Sequence, residues 1–439
     1  MTQAPPTIRA KLAWAGLALS VLVGFLVSLM GSSTKNTVQV FFVEMADSFG
    51  QSRGGFALAT TVFAVTYAIA APLTGALADR VGPGRVLLIG TITAGVAFLA
   101  CSRIDSFVVF VVAYGLLASM ANTMLSYVPI GVLVDRLFAD GRKGLFYGLL
   151  TNGTAAGFIF LVPLWTWLGQ RYAWQSILTG LGLFLLLVIT PVSLVLVRGR
   201  TATRAQPAAA LGFRPALRQV LRSRALWILA LAFSSCGATM AFIDVHLMAH
   251  LGDAGIPVQV SSTTIVILGL CELVGALVAG RLCDRGLIQR TLFAGYLMRA
   301  VGVLFLAINP VPASVVLFGI IFGASFMVTV VATTMWVLRT FPTAVKGTAM
   351  GLIWTAHQIG AALVSEFGAL NYDHLNSYLI TLVVSGGASV LAAVLVITLT
   401  GPDQPTGPDQ PTGGPDPASQ TNPTRPEAKE TEAKEVAAA

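Results

Sequence analysis

Hydrophobic residues occur along most of the chain in runs long enough to cross a membrane as helices. A helix crosses the hydrocarbon core of a bilayer with about 20 apolar residues, and runs of this length recur between short polar gaps. The pattern predicts twelve transmembrane helices, at residues 12–34, 54–76, 84–102, 107–134, 144–166, 174–197, 225–250, 261–282, 290–308, 313–338, 346–370 and 376–400.

The composition agrees with this pattern. Hydrophobic residues make up 55% of the 439 residues and charged residues only 10%, whereas a soluble domain carries roughly 25% charged residues. The net charge of +8 does not indicate nucleic-acid binding, because the basic residues lie between apolar runs. No small-residue cleavage site follows the first run, which we expect to be a retained span. The chain is predicted to be an all-α integral membrane protein.

Lysine and arginine concentrate in every second gap between the predicted helices. The basic gaps lie at 78–85, 135–144, 198–224, 281–290 and 339–347. Because basic loops mark the cytoplasmic side of a membrane, both termini are predicted to be cytoplasmic. We expect a multi-pass protein of the cell inner membrane, monomeric and in contact with the lipid bilayer.

The middle and the end of the chain differ from the rest in composition. Residues 198–224 contain seven arginines and no acid, and "LRQVLRSRALW" within them has helical spacing. They predict an amphipathic surface helix that joins two halves, with partner binding as the alternative. The Pro- and Gly-rich tail cannot bury a core. The predicted division is 1–200 for the first half, 201–224 for the linker, 225–400 for the second half and 401–439 for a disordered cytoplasmic tail.

Two internal repeats relate the halves. "GALADRVGPGR" begins at Gly75 after the second span, and "GRLCDRGLIQR" begins at Gly280 after the eighth. "KGLFYGLLTNGTAAG" at 143–157 aligns in the same way with "KGTAMGLIWTAHQIG" at 346–360. The repeats predict two six-helix halves in parallel orientation. Transporters built in this way hold the substrate near the midplane and rock about it.

The first repeat resembles the loop motif of the major facilitator superfamily, Gly-x-Leu-Ala-Asp-Arg-x-Gly-x-Arg. The resemblance covers residues 12–400 and implies the major facilitator fold, with twelve transmembrane helices in two six-helix pseudo-symmetric halves. An acid among basic residues at a helix end can bridge to a neighbouring helix when the inner gate is shut. The expected gating residues are Asp79, Arg80, Arg85, Asp284 and Arg285.

A narrower resemblance concerns "GSSTKNTVQVFFVEMADSFGQSRGGFA", which is similar to the end of the first span in the monocarboxylate transporter family. "DVHLMAHLGDAGIP" and "YLMRAVGVLFL" also resemble bacterial members. In that family the lysine helps to receive the substrate carboxylate at the outer mouth, and Lys35 occupies its position. The eighth span departs from the family. Glu272 stands where the family has an acid or amide, but Ala276 replaces the arginine that usually holds the carboxylate.

Ionisable side chains at membrane depth are costly and therefore candidate functional groups. Glu272, near the middle of the eighth span, is the expected proton carrier, together with Asp244. Removal from water disfavours a charged carboxylate, so such a group can exchange a proton near neutral pH. The alternative is a structural pair of Glu272 with Arg299 or Lys35. Arg299, on the ninth span, is expected to face Glu272 or Glu366.

Polar and aromatic residues on spans four, five, ten and eleven are expected to line the cavity, because the resemblance implies that these spans surround it. Packing is the alternative for each of them. The histidine among them can titrate near neutral pH. The expected lining residues are Asn122, Tyr127, Asn152, Trp336, His357 and Gln358.

The sequence predicts a secondary transporter of a small organic anion, driven by protons and without a cofactor. No phosphate loop or catalytic triad motif indicates an enzyme. A neutral or zwitterionic solute, such as a vitamin or drug-like molecule, is one alternative substrate. A transition-metal importer is another, since Asp244, His246 and His250 lie among methionines on the seventh span. A sensor that binds solute without moving it is a third possibility.

Overall fold

The computed structural model describes residues 8–138, 141–198, 212–308 and 310–399. Twelve long helices run through these residues, and we label them α1–α12 in chain order. They are α1 Ile8–Val40, α2 Arg53–Val81, α3 Pro83–Cys101, α4 Phe107–Leu137, α5 Lys143–Gly169, α6 Trp174–Arg198, α7 Arg224–Asp253, α8 Val258–Asp284, α9 Ile288–Ile308, α10 Pro312–Thr340, α11 Lys346–Leu375 and α12 Leu379–Ile397. Two short helices, Phe42–Ser48 and Phe213–Leu221, lie between them.

The twelve helices confirm the predicted all-α membrane fold. Among the described residues, eleven helices are long and apolar enough to cross a membrane. The remaining one, α11, has 30 residues and is long enough as well, but it carries more polar side chains. The predicted tail at 401–439 and residues 199–211 lie outside the described residues.

α1 is longer than the hydrophobic pattern predicts. It continues to Val40, whereas the apolar run ends near residue 34. The polar residues beyond that point are buried against other helices, since Asn36 and Thr37 have no exposed surface. The indole N–H of Trp165 on α5 donates to Asn36 at 3.3 Å. Lys35 therefore lies within α1 rather than at its end.

Two six-helix halves, α1–α6 and α7–α12, meet along two pairs of helices. α2 packs against α11, and α5 packs against α8. The repeat in the sequence relates these two pairs, since α2 corresponds to α8 and α5 to α11. The helix Phe213–Leu221, which we call the linker helix, packs against α2, α7 and α11.

Asp79 and Asp284 lie in the last turns of α2 and α8. The motif around Asp79 is thus mostly helical, and the chain turns at Gly82. Gly82 has a φ of 95°, which glycine adopts without the steric cost that a Cβ would bring. Pro83 follows at the first position of α3, where its missing N–H is not needed. We call this side of the protein the gate side, and the opposite side the mouth side.

Three of the long helices are irregular near their middle or outer parts. α4 breaks at Ser126, whose ψ of −167° is extended, before a second helical segment begins at Tyr127. π-helical turns occur in α4, α6 and α7. Such turns are rare and frequently mark functional sites, and the one in α7, Phe242–His246, contains Asp244.

Candidate functional site

Asp79 joins α2 to the beginning of α11 across the two halves. Its carboxylate accepts hydrogen bonds from the backbone N–H of Gly347 at 2.7 Å and of Thr348 at 2.9 Å. The Thr348 hydroxyl donates a third bond at 3.0 Å. The first N–H groups of a helix lack intrahelical partners, and the helix dipole favours an anion there.

Asp284 makes the symmetry-related contact between α8 and α5. It accepts from the N–H groups of Gly144 at 2.8 Å and Leu145 at 2.9 Å. Glycines allow the helix backbones to approach closely at both contacts, α2 with α11 and α8 with α5. A methyl group on Gly75 would overlap the carbonyl oxygen of Gly347, and one on Gly280 would overlap that of Gly144.

Asp135 at the gate side of α4 binds two lysines, which the repeat places at equivalent positions. The ammonium of Lys143 lies 2.9 Å from its carboxylate, and that of Lys346 lies 2.8 Å from it. Lys143 begins α5 and Lys346 begins α11, so this acid also joins the halves. The residue that corresponds to Asp135 in the second half is Leu338, and the contacts between the halves on the gate side are therefore asymmetric. Sequence reasoning missed this residue.

The predicted gating arginines lie beside these contacts. Arg80, Arg85 and Arg285 are exposed, and Arg85 donates to the Val81 carbonyl of its own helix at 3.3 Å. The arginine that approaches Asp79 is Arg136, which donates to the Asp79 backbone carbonyl at 3.1 Å.

Replacing Asp135 by asparagine should destabilise the closed gate. The change leaves two lysines without their acid, and stranding one member of a buried pair costs roughly 3–5 kcal/mol. We expect a smaller cost here, because the side chains of Lys346 and Lys143 are 10% and 17% exposed. The melting temperature of the purified protein should fall, and a cysteine at Thr348 should become more reactive to a thiol reagent. An additional Lys346→Met change should restore part of the loss. Unchanged melting and reactivity in Asp135→Asn would show that the gate does not depend on this acid.

Lys35 and Asp244 meet at the mouth side, between the first helices of the two halves. Their charged atoms are 3.6 Å apart, and the side chains are 47% and 48% exposed. Lys35 is the exposed residue in an otherwise buried stretch of α1, from Gly31 to Val38. The π-helical turn in α7 contains Asp244. The ion pair is therefore accessible to solvent, and its two charged atoms are farther apart than in a direct hydrogen bond.

Glu272 lies on α8 between the mouth and the gate. Its side chain is partly exposed, and it makes no hydrogen bond or ion pair with any residue in the described ranges. The carbonyl of the next residue, Leu273, accepts from the amide of Asn152 on α5 at 3.0 Å. The amide oxygen of Asn152 is buried and has no partner among the described residues.

Aromatic side chains from both halves form one wall beside these groups. Tyr127 of α4 stacks on Trp354 of α11, with ring centroids 4.6 Å apart and an interplanar angle of 5°. Trp354 also contacts His357 at 4.9 Å and Phe233 of α7 at 5.1 Å. The Nδ1 of His357 lies 3.1 Å from the Gln358 amide oxygen. Trp354, which sequence reasoning missed, thus connects Tyr127 with His357.

The predicted lining residues differ in exposure. Asn122, Tyr127 and Gln358 are partly exposed, whereas Asn152 and His357 are buried. Trp336 has no exposed surface and lies in the packed core of α10, so the prediction that it lines the cavity was wrong. Close to Trp336 in the sequence, α10 contacts α5. The hydroxyl of Thr334 on α10 donates to the hydroxyl of Tyr147 on α5 at 3.0 Å.

Arg299 on α9 is completely buried and has no acid partner among the described residues, contrary to the prediction. Its guanidinium donates to the hydroxyls of Thr239 on α7 at 3.0 Å and Thr329 on α10 at 2.9 Å. Backbone carbonyls of the same two helices accept longer bonds, at Cys236, Ser325 and Phe326. Glu272 makes no ion pair with it, and Glu366 is exposed on α11. Hydroxyls and carbonyls thus accept from both terminal nitrogens of the guanidinium, whereas its Nε has no partner among the described residues.

Replacing Arg299 by methionine should lower the free energy of unfolding by roughly 1–3 kcal/mol, because buried acceptors lose a charged donor. A thermal melt of the purified protein measures the effect. Arg290→Met is the matched control on the same helix, since Arg290 is exposed. An additional Glu272→Leu change should not restore stability, because the two side chains do not pair. Recovery in that double variant would show that they do.

A model of the Major Facilitator Superfamily matches residues 21–365. The chain belongs to the Major Facilitator Superfamily. Its sequence is 26% identical to the uncharacterized MFS-type transporter YcxA of Bacillus subtilis, over 83% of this chain and 90% of that one. It is 24% identical to monocarboxylate transporter 13 of Rattus norvegicus, over 86% and 88% of the two chains. These relatives confirm the predicted similarity to the superfamily and to monocarboxylate transporters.

Solved structures of the superfamily share the fold. The proton:xylose symporter XylE superposes with a TM-score of 0.67 over 88% of this chain and 96% of its own, at 13% identity. The human organic anion transporter MFSD10 also gives 0.67, over 87% and 99%, at 17% identity. Membership of the superfamily, together with the apolar helices, makes the protein a multi-pass membrane transporter of a small molecule rather than an enzyme.

The histidines of α7 lie at the mouth side of this superfamily fold. The Nε2 of His246 is 2.9 Å from the Ser365 carbonyl oxygen of α11, and the ring contacts Tyr378 at 5.1 Å. His250 lies 6.0 Å from Tyr378 in an edge-on arrangement. No group of three or more histidine, cysteine or acidic side chains in the described residues could hold a metal ion.

Proposed function

We propose that the protein is a proton-coupled secondary transporter of a small organic anion of the monocarboxylate kind, working by alternating access. The relative named monocarboxylate transporter 13 supports the substrate class. The observation that carries the proposal is the exposed pair of Lys35 and Asp244 at 3.6 Å between the halves.

An exposed ion pair of this kind contributes little to stability, on the order of 0–1 kcal/mol. A substrate carboxylate can therefore displace Asp244 from Lys35 at low cost and with similar geometry. The displaced Asp244 carboxylate then lacks a cation. Proton binding to an acid in the cavity, Glu272 or Asp244, removes the excess negative charge. This exchange of partners couples the entry of the anion to the entry of a proton.

Glu272 is the proposed proton carrier because it is partly exposed and has no hydrogen-bond partner among the described residues. A carboxyl group without a fixed cation can be neutral or charged without breaking an ion pair. Tyr127, Trp354 and His357 provide an aromatic surface against which the apolar part of the substrate can pack. Asn122, Asn152 and Gln358 are proposed to supply hydrogen bonds.

Alternating access requires that the gate opens after the mouth closes. The proposed gating groups are Asp79 and Asp284, which hold the beginnings of α11 and α5, with Arg80, Arg85 and Arg285 beside them. Because the gate side carries the basic gaps of the sequence, we propose that it faces the cytoplasm of a cell whose inner membrane holds the protein. We also retain the proposed division into residues 1–200, 201–224, 225–400 and 401–439, and a monomer as the functional unit.

A neutral or zwitterionic solute is the second candidate substrate, and Ala276 favours it. This residue is completely buried, and a methyl group on Gly148 of α5 would press against its carbonyl oxygen. An arginine side chain would have no room at this crossing, and Lys35 is therefore the cation that we propose for a substrate carboxylate. A zwitterion could place its carboxylate on Lys35 and its ammonium on Asp244 or Glu272.

A binding screen followed by transport tests the proposal. Melting of the purified protein is compared with lactate, pyruvate and benzoate, with the neutral analogue lactamide, and with alanine as a zwitterion. We expect the carboxylates to raise the melting temperature more than lactamide or alanine. The best carboxylate should then accumulate in proteoliposomes when the lumen is alkaline. Stabilisation by lactamide or alanine alone would favour the second candidate, and binding without accumulation would indicate a sensor.

A further inference from the structure

A groove of about 430 Å³ opens on the gate side between the start of α7, the end of α12 and the linker helix. Binding sites for small molecules typically measure roughly 300–1,000 Å³, so the groove can hold part of a ligand. Its walls are Leu221, Arg222, Arg224, Trp227, Leu231 and Leu395. None of these residues belongs to the transport site or to the gate.

The groove is charged at one end and apolar at the other. Arg224, Trp227 and Leu231 follow one face of α7 at helical spacing, and Arg224 lies about 10 Å from Leu231 along the axis. The side chains of Trp227 and Leu231 are 58% and 56% exposed. An apolar surface of this exposure on a transmembrane helix is covered by lipid chains.

The charged end has no counterion among the described residues. Arg222 and Arg224 are exposed, and neither side chain makes a hydrogen bond or ion pair with a described residue. Arg214 and Arg218 lie four residues apart on the exposed face of the linker helix, and Arg222 follows at its end with the same spacing. The sequence has no acidic residue from 141 to 243, so this surface is strongly positive.

The linker helix is fixed against α7, which gives the groove a defined shape. The indole N–H of Trp227 donates to the Leu221 carbonyl at 2.8 Å. Ala216 and Val220 on the other face of the linker helix are buried. The two arginines therefore stand on either side of a short, anchored turn at Ser223.

We propose that this groove binds an anionic phospholipid of the surrounding bilayer. Its phosphate lies between Arg222 and Arg224, and one acyl chain follows Trp227, Leu231 and Leu395 into the membrane. Basic pockets at the ends of transmembrane helices select anionic headgroups, because each arginine near the surface adds attraction to a negative lipid. The apolar wall distinguishes this lipid from a free phosphate, which could use only the charged end.

Fluorescence quenching by brominated lipid tests the proposal, because Trp227 lines the groove. The full-length protein is reconstituted in phosphatidylcholine bilayers that contain either brominated phosphatidylglycerol or brominated phosphatidylcholine. The contribution of Trp227 is obtained by comparison with Trp227→Phe. We expect stronger quenching by brominated phosphatidylglycerol. The double variant Arg222→Gln and Arg224→Gln should weaken this preference by about thirty-fold, from roughly 1 kcal/mol for each arginine.

The matched control is the double variant Arg142→Gln and Arg290→Gln, which removes two exposed arginines from the same side and should keep the preference. Soluble glycerol 3-phosphate should not compete, because it lacks an acyl chain. Equal quenching by the two brominated lipids, or loss of the preference in the control variant, would overturn the proposal. So would competition by glycerol 3-phosphate, which would indicate a site for a free phosphate ester. An effect of the arginine variants that is the same in both lipids would also overturn the proposal, because it would not depend on the headgroup.

Discussion

Uptake of the carboxylate should be lost when Lys35 is replaced by alanine. Lys35 is the proposed partner of the carboxylate, and its side chain is half exposed beside Asp244. A hydrogen bond to a charged group contributes roughly 1.5–3 kcal/mol, so affinity should fall about 10- to 150-fold. Initial rates of uptake into proteoliposomes measure the effect, with equal amounts of reconstituted protein.

Two further variants separate the charge of Lys35 from its other contacts. Lys35→Arg should keep partial uptake, because it preserves the positive charge with a different shape. Asp244→Asn should keep carboxylate binding, since it leaves the ammonium free to receive the substrate. Parental uptake by Lys35→Ala would exclude Lys35 as the carboxylate partner. Loss of binding in all three variants, with lower melting temperatures, would assign the pair a structural role instead.

Replacing Glu272 by glutamine should abolish accumulation but preserve exchange. Glutamine resembles a permanently protonated glutamate, so the loaded carrier can still change its conformation. It cannot release a proton, so an alkaline lumen can no longer drive net uptake. Both activities are measured on the same proteoliposomes, as counterflow of labelled substrate and as accumulation with a pH gradient.

The matched control for Glu272→Gln is Glu366→Gln, an exposed acid on α11, which should retain both activities. If Glu272→Gln keeps accumulation and its pH dependence, the proton is carried by another group, with Asp244 and His357 as the next candidates. If it also loses exchange, Glu272 contacts the substrate directly. A zwitterionic solute would then be the better candidate.

The sequence predicts the helices well because transmembrane segments are constrained by bilayer thickness. The same constraint does not predict where a helix ends when polar residues are buried by protein. α1 extends to Val40 since Asn36 and Thr37 are covered by other helices, and composition alone gives no sign of this. As a result, Lys35 faces Asp244 from within a helix rather than from a loop.

The contacts between the halves on the gate side could be predicted only in part, because a sequence repeat reveals the symmetric contacts and not the asymmetric ones. The paired motifs identify Asp79 and Asp284. They do not identify Asp135, whose counterpart is Leu338. A signal was present nonetheless, since Lys143 and Lys346 occupy equivalent positions and two lysines near one interface need an acid. A search for an acid near these two lysines would have pointed to Asp135.

Contacts between distant helices were the least predictable part of the site. Arg299 donates to the hydroxyls of Thr239 and Thr329, which carry no sequence signature of a partner for arginine. Trp354 is one of many apolar residues on α11 until the fold places it on Tyr127. Trp336 is also a tryptophan within an apolar run, but it lies in the core. The difference depends on helix rotation, which short apolar patterns do not specify.

Proton movement driven by the substrate tests the central claim most directly. Proteoliposomes with equal pH inside and outside, and with a trapped fluorescent pH indicator, receive an inward gradient of the carboxylate. The account predicts that the lumen acidifies as the carboxylate enters. This acidification should be much slower in liposomes that contain Lys35→Ala and in liposomes without protein, which correct for passive entry of the undissociated acid. Entry of the carboxylate without acidification beyond these controls would contradict proton coupling.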